Sequence, residues 1–363
     1  MAKRVSVDKT LFTVTLLLVF IGLVMVFSAS AVMAKDRFGS PYGFLIRQFL
    51  WAVAGIGAMF GLMNVDYKRY KNSGVVFSLL GLTTILLISV FFLDRSHNTH
   101  RWFRAGPFSF QPSELAKPTL ILFLSYFLES RTRQMEDWRH TLLPAIAPTL
   151  FLSALIAAQP DLGTAIACAA ITAAIMFVAG TEWKYYLYAV APLPILFYFL
   201  IWRVPWRHQR ILAYANPYSD PLGRGFHIIQ SLIAVSTGGF SGLGLMEGHQ
   251  KLFFLPEPHT DFIFAVIGEE FGLIGTIVVL TLFAIFLYRG VRAAVLTRDV
   301  FGKYLAAGIA SMIVIQALFN ISVVVALLPT KGIPLPFISY GGSSLFVMLA
   351  SVGVLLNITK QTD

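Results

Sequence analysis

Charge is scarce in this chain. Charged residues make up 13% of its 363 residues and hydrophobic ones 57%, which excludes the half-polar surface that a soluble domain of this length presents. Cysteine is scarcer still. Cys168 stands alone in the small-residue run from Gly163 to Ala174, so an intramolecular disulfide is excluded and a thiolate metal site has no second ligand. A glycine-rich nucleotide loop, a zinc-ligand spacing and a serine-nucleophile motif are also missing, which argues against ATP-driven transport by the chain itself. The formal net charge is +10, but the Lys and Arg residues are scattered between apolar runs and form no basic arm or stripe. They orient a membrane protein more readily than they bind nucleic acid.

Apolar runs are what the chain has in quantity. Those long enough to cross a hydrocarbon core occupy residues 11–33, 44–63, 73–93, 142–158, 162–180, 185–203, 262–288, 303–327 and 341–358, and a run with a more polar head covers 113–129. Backbone groups in lipid must pair within their own segment, and no alternating barrel-strand pattern is present. The expectation is an all-α polytopic membrane protein of about ten helices, a single transmembrane domain over residues 1–363 with a large extracytoplasmic loop, 204–261, between the seventh and eighth. The first run follows Lys3, Arg4 and Lys9 and ends in Ser28-Ala29-Ser30-Ala31, as a signal peptide does. It is longer than a signal core of about 7–15 residues, and an uncleaved helix is expected.

With the N-terminus inside, alternating loops assign 15 Lys and Arg to the cytoplasm and 13 to the outside. That bias is slight, although the rule discounts long loops such as 204–261. Both termini are then cytoplasmic. The outer cations Arg101, Arg104, Arg207, Arg210, Arg224 and Lys251 run against the rule and suit an anionic head group. Within the long loop, Phe226 to Val235 reads as an interfacial or re-entrant helix. Phe226, Ile229 and Ile233 share one face, leaving His227, Gln230 and Ser231 for water or substrate; a lid that only packs over the bundle is the alternative.

The densest polar cluster is KLFFLPEPHTD, residues 251–261, running into the apolar FIFAVIGEEFGLIG. Asp261 there either caps a helix or serves as a partly desolvated carboxylate fit to accept a proton. Glu257 and His259 lie close enough in sequence to orient it or to bind hydroxyls. Glu269 and Glu270 fall deeper, where carboxylates need partners. In RWFRAGPFSFQPSELAK, Glu114 and Lys117 share a helix face and can pair, and Lys117 or Arg101 is placed to meet a phosphate. Asp161 in QPDLGTA is either an N-cap or a second acid in the same cavity. Lys331, Ser339 and Ser343 lie in LLPTKGIPLPFISYGGSS, irregular backbone that at membrane depth must be buried in protein or line a wet cavity.

Taken together, RWFRAGPFSFQPSELAK, QPDLGTA, NPYSDPLGRGFHIIQS, KLFFLPEPHTDFIFAVIGEEFGLIG and LLPTKGIPLPFISYGGSS closely resemble the SEDS family (shape, elongation, division and sporulation), in order and over nearly the whole chain. PTKG and the SAS ending of the first span look like its division branch, FtsW, or the sporulation relative; GIPLPF and the histidine of GFHIIQS look more like the elongation branch, RodA. The resemblance implies a peptidoglycan glycosyltransferase of the bacterial cytoplasmic membrane. Such an enzyme polymerises lipid II at the outer face beside a class B penicillin-binding protein and other divisome or elongasome membrane proteins.

The same resemblance implies that Asp261 is the essential aspartate. Arg101, Glu114, Lys117, Asp161, Arg210, Gln230, Lys251, Glu257, His259, Lys331, Ser339 and Ser343 are the expected substrate contacts. No sequence feature supplies a cofactor, although a divalent cation suits pyrophosphate departure. A lipid II flippase is the alternative from another class, because charged interior faces also suit a transporter.

Overall fold

A computed structural model describes residues 7–94, 100–105, 108–132, 136–252 and 254–361; Lys3, Arg4 and, from the quoted motifs, Gly106, Pro107 and Phe253 lie outside the described residues. In chain order the helices are α1 (Lys9–Phe38), α2 (Gly43–Met63), α3 (Ser73–Leu93), α4 (Pro112–Glu129), α5 (Leu143–Ala158), α6 (Leu162–Ala179), α7 (Trp183–Val190), α8 (Leu193–Phe197), α9 (Pro205–Ala215), α10 (Phe226–Thr237), α11 (Ile263–Leu296), α12 (Val300–Val324) and α13 (Gly342–Lys360). Strands β1 (Phe103–Ala105) and β2 (Phe108–Phe110) form a small antiparallel hairpin ahead of α4.

Among the described residues, nine helical stretches are long and apolar enough to span a bilayer, α7 and α8 counting as one stretch to Trp202. The remaining expected span, α4, is also a helix. Its 18 residues carry Glu114 and Lys117 and are mostly buried, so it sits inside the bundle rather than facing lipid. Hydroxyl pairs tie neighbouring spans, Thr83 to Thr119 at 3.0 Å and Thr149 to Thr172 at 2.9 Å, as apolar surroundings favour.

The ends of the bundle are distinct. At one end the Asp8 carboxylate accepts from Arg289 Nε at 2.7 Å and its backbone N–H donates to Thr359 Oγ1, while Asn357 and Lys360 meet Tyr67 and Met63. This end holds the start of α1 and the close of α13. The opposite end gathers the α1–α2 turn, the β-hairpin, the α5–α6 turn, residues 203–262 and the irregular loop 325–341. The loop 325–341 reaches far inward: Gly22, well inside α1, packs against the backbone of Phe337 and Ile338. Residues Leu335 to Ser339 are buried, as irregular backbone at that depth requires.

Helix α11 is not the continuous span that its apolar run predicts. Gly272 adopts φ 60° and ψ −154°, a region open to glycine, and breaks the ladder. The freed groups find new partners in the segment after α10: Leu243 and Gly244 N–H donate to the Glu269 and Glu270 carbonyls, and Leu273 and Ile274 N–H donate to the Gly239 and Phe240 carbonyls. The two backbones approach so closely that a Cβ at Gly238 or Gly242 would overlap a carbonyl oxygen of α11.

One sequence expectation is corrected in α10. The helix forms, but it buries Ile228, Ser231 and Ala234, and Ser231 Oγ donates to the Val324 carbonyl at 2.7 Å instead of facing water or substrate. Small residues allow the close approach to α11 and α12 that the bulkier Phe226, Ile229 and Ile233 would prevent.

Candidate functional site

The opposite end of the bundle holds a cavity of about 560 Å³. Four polar segments and one amphipathic helix wall it: Arg101 ahead of the β-hairpin, Asp161 and Gly163 at the start of α6, Asp261 before α11, and Thr330, Lys331 and Gly332 from the irregular loop. Helix α9 closes the side with Trp206, Arg207 and Arg210. Four cations and two carboxylates therefore face one space, an excess of positive charge that suits a polyanion.

Asp261 does not cap α11. The residue before that helix is Phe262, which makes no side-chain cap, and the helix begins at Ile263. Its backbone is held instead: Asn320 Nδ2 donates to the Asp261 carbonyl at 2.8 Å, while its carboxylate lies against Gly332, where a Cβ would come within 2.7 Å of Oδ2. Burial pushes this carboxyl up to about 7; Glu257 and Asp161 push the same way, and Arg101 and Arg210 oppose them. A group in that range exchanges protons at neutral pH.

Asp161 is a helix cap as well as a cavity wall. Oδ1 accepts from Thr164 N–H at 3.2 Å, and Oδ2 accepts from Thr164 Oγ1 at 2.8 Å and Gln111 Nε2 at 3.2 Å. Arg101 is fixed by donation from Nε to the Gln159 carbonyl at 3.0 Å and from Nη2 to the Pro160 carbonyl. Arg207 donates to the Leu200 carbonyl at 2.8 Å, and among the described residues its buried Nε has no partner. Partial desolvation lowers the Arg207, Arg210 and Lys331 pKa values, and neighbouring cations add to the effect. An anion entering the cavity relieves that repulsion.

The other expected contacts lie elsewhere. Lys117 Nζ, fully enclosed, donates to Glu114 at 2.9 and 3.0 Å and to Gln316 Oε1 at 2.5 Å, behind the wall that Gly332 forms. Lys251 is buried in a pair with Glu270 Oε1 at 2.5 Å, which also accepts from Ser28 Oγ at 2.6 Å. Glu269 accepts from the N–H groups of His249 and Gln250, so both deep glutamates have structural partners.

His259 is buried between Phe44 and Tyr340, with ring centroids at 4.5 and 5.6 Å. Burial, reinforced by Arg37, pushes it down to about 4, so it is neutral at pH 7. Glu257 is exposed and 3.8 Å from His259. Ser339 Oγ donates to the Thr260 carbonyl at 2.6 Å and accepts from Leu335 N–H, and Ser343 Oγ accepts from Gln111 N–H at 3.3 Å. These contacts shape the loops, and Gln230 lies half-buried on α10 away from the cavity lining.

Trp206 and the full contribution of Arg207 were not singled out by the sequence. Arg207 and Arg210 lie three apart beside Trp206, and both guanidinium groups stack near its ring, at 4.9 and 5.1 Å. The helical spacing in PWRHQR carries that signal.

Fold and cavity together define a polytopic membrane protein with a cation-lined pocket and, at its wall, a carboxyl pushed up to about 7. Over residues 8–363 the chain matches the family of FtsW, RodA and SpoVE, described as a cell cycle protein, and it belongs to that family. It is 44% identical to a probable peptidoglycan glycosyltransferase FtsW of Geobacter metallireducens, covering 98% of this chain and 95% of the relative. It is 43% identical to stage V sporulation protein E of Bacillus subtilis, covering 99% of each.

Among solved structures, it is similar to a chain from work on the structural coordination of polymerization and crosslinking by a peptidoglycan synthase complex (TM-score 0.81, 30% identity, 98% of each chain). It is also similar to the rod shape determining protein RodA of Thermus thermophilus (TM-score 0.71, 28% identity, 98% and 97% covered).

Proposed function

We propose that this chain is a peptidoglycan glycosyltransferase that polymerises lipid II at the outer face of the bacterial cytoplasmic membrane. The observation that carries the reading is the meeting of Asp261 with Arg101, Arg207, Arg210 and Lys331 in one cavity, in a chain 44% identical to a relative named for that activity. Asp261 takes the proton from the acceptor sugar hydroxyl as its oxygen attacks the donor anomeric carbon. The bond from that carbon to the pyrophosphate breaks, its electron pair leaves with the pyrophosphate, and the four cations stabilise the charge that develops.

In this reading the cavity faces outward, both termini lie in the cytoplasm, and residues 1–363 are taken as one transmembrane domain. The cell-division role and a class B penicillin-binding protein as partner follow the FtsW relatives and the synthase-complex likeness. A divalent cation would be held by the Asp161 or Asp261 carboxylate and would supply positive charge to the departing pyrophosphate. Among the described residues no group of three His, Cys, Asp or Glu side chains is clustered to hold one.

A flippase needs a wet path from the cytoplasmic side, whereas the cavity walls come from one end of the bundle. Purified chain in sealed vesicles, given labelled lipid II with and without a chelator, tests the reading. Glycan polymer is expected. Movement of lipid II across the bilayer without polymer would establish the transporter instead.

A further inference from the structure

Two amides one turn apart on α12 hold two of the segments that build the cavity wall, the one ending at Asp261 and the loop carrying Lys331. Gln316 Nε2 donates to the Pro334 carbonyl at 3.0 Å, and its Oε1 accepts from Lys117. Asn320, four residues on and therefore on the same face, is 1% exposed. Its Nδ2 donates at 2.8 Å to the Asp261 carbonyl and at 2.8 Å to the Ile333 carbonyl. One NH₂ group thus uses both hydrogens to join the segment carrying Asp261 to the segment carrying Lys331. Gly332 sits in the join with its α-carbon against the Asp261 carboxylate. The Asn320 Oδ1 atom is buried and, among the described residues, has no partner, so donation through Nδ2 is what this side chain does here.

We infer that Asn320 is a positioning residue for glycosyl transfer, a staple that sets the distance between the Asp261 carboxylate and the Lys331 ammonium. This inference rests on the glycosyltransferase reading above. Neither site-bearing segment is helical, and α12 lends them a rigid reference because it packs against α4, α6 and α11. Ser339 repeats the join farther along the loop from Lys331, from its hydroxyl to the Thr260 carbonyl, and there Gln48 of α2 donates to the Ser339 carbonyl. Losing the Asn320 donor lets the two segments separate, and a displacement on the order of 1 Å can cost about 100-fold in rate. Asn320 touches no cavity space itself, so ground-state binding of the substrate should survive.

Asn320→Leu keeps the volume and removes the donor; Asn320→Ser, too short to reach both carbonyls, serves should the leucine variant not fold. Ser231→Ala, which removes another buried bond to α12 at the Val324 carbonyl, is the control. Hydrogen exchange and steady-state polymerisation of lipid II are measured on the full chain. Faster exchange confined to residues 257–262 and 331–336, with kcat down at least about 10-fold and KM within about 2-fold, is expected for Asn320 and not for Ser231→Ala. A kcat within about 2-fold of wild type, or exchange raised uniformly through α11, α12 and α13, overturns the staple. If wild type makes no polymer while the local exchange effect is present, the enzyme reading fails and the staple stands.

Discussion

At Asp261 the competing influences are burial and the Glu257 charge, which raise the pKa, and Arg101 and Arg210, which lower it; the outcome is a carboxyl near 7. A general base works only when deprotonated, so kcat/KM for polymerisation is expected to rise with pH and reach half its plateau near pH 7. Glu257→Gln removes the largest neighbouring charge that raises the pKa, and the midpoint should move to lower pH; an unmoved midpoint contradicts the assignment. His259, held near 4, contributes no inflection in that range. The folded state raises the Asp261 pKa, so ionised Asp261 opposes folding above that midpoint. Asp261→Asn should therefore melt no lower than wild type at pH 8.

The motif made Asp261 legible, yet its sequence neighbours misled. His259 and Lys251 point into packed interiors, because a few residues of irregular chain suffice to turn adjacent side chains away from each other. Arg207, some fifty positions upstream, is a true neighbour that only the folding of α9 over the cavity brings in.

The broken helix α11 shows what a hydropathy profile hides. Its run of 34 residues would extend about 50 Å if straight, well beyond a hydrocarbon core of about 30 Å, and Gly272 divides it where residues 239–244 take over its backbone bonds. Apolar periodicity located this helix and α10 correctly. It could not give the face of α10, since Ser231 and Ala234 are chosen for closeness rather than for hydrophobicity.

The segment that follows α10 reaches Lys251, locked to Glu270 and Ser28. Removing one partner of a buried pair strands the other charge, at a cost of about 3–5 kcal/mol. Lys251→Met or Glu270→Met alone should lower the melting temperature in micelles strongly, and the double variant Lys251→Met with Glu270→Met should recover most of the loss. Additive losses in the double variant would show that the pair does not hold the segment.

At the scale of the whole molecule, helices pass back and forth so that all cavity residues collect at one end and the start of α1 meets the close of α13 at the other. Run lengths alone made this layout legible. The cavity was legible in part: Arg101, Asp161, Arg210, Asp261 and Lys331 were expected at one site, whereas Trp206 enters only through the folding of α9. The stretch from Trp183 to Trp202 buries no residue, so the wall of the cavity formed by Ile201 and α9 hangs on a helix that faces lipid. Charge excess in that wall should bind the substrate pyrophosphate. Arg207→Gln and Arg210→Gln should each raise KM roughly 10-fold, as loss of a charge-assisted bond worth about 1.5 kcal/mol would, with weaker binding at high salt. Unchanged KM in both would remove the cations from substrate recognition.

Direct comparison of wild type and Asp261→Asn in polymer formation from purified lipid II at pH 8, with folding verified by melting temperature, tests the central claim. The account predicts glycan strands from wild type and a rate at least about 100-fold lower from the folded variant. Polymer at a comparable rate from Asp261→Asn would contradict it.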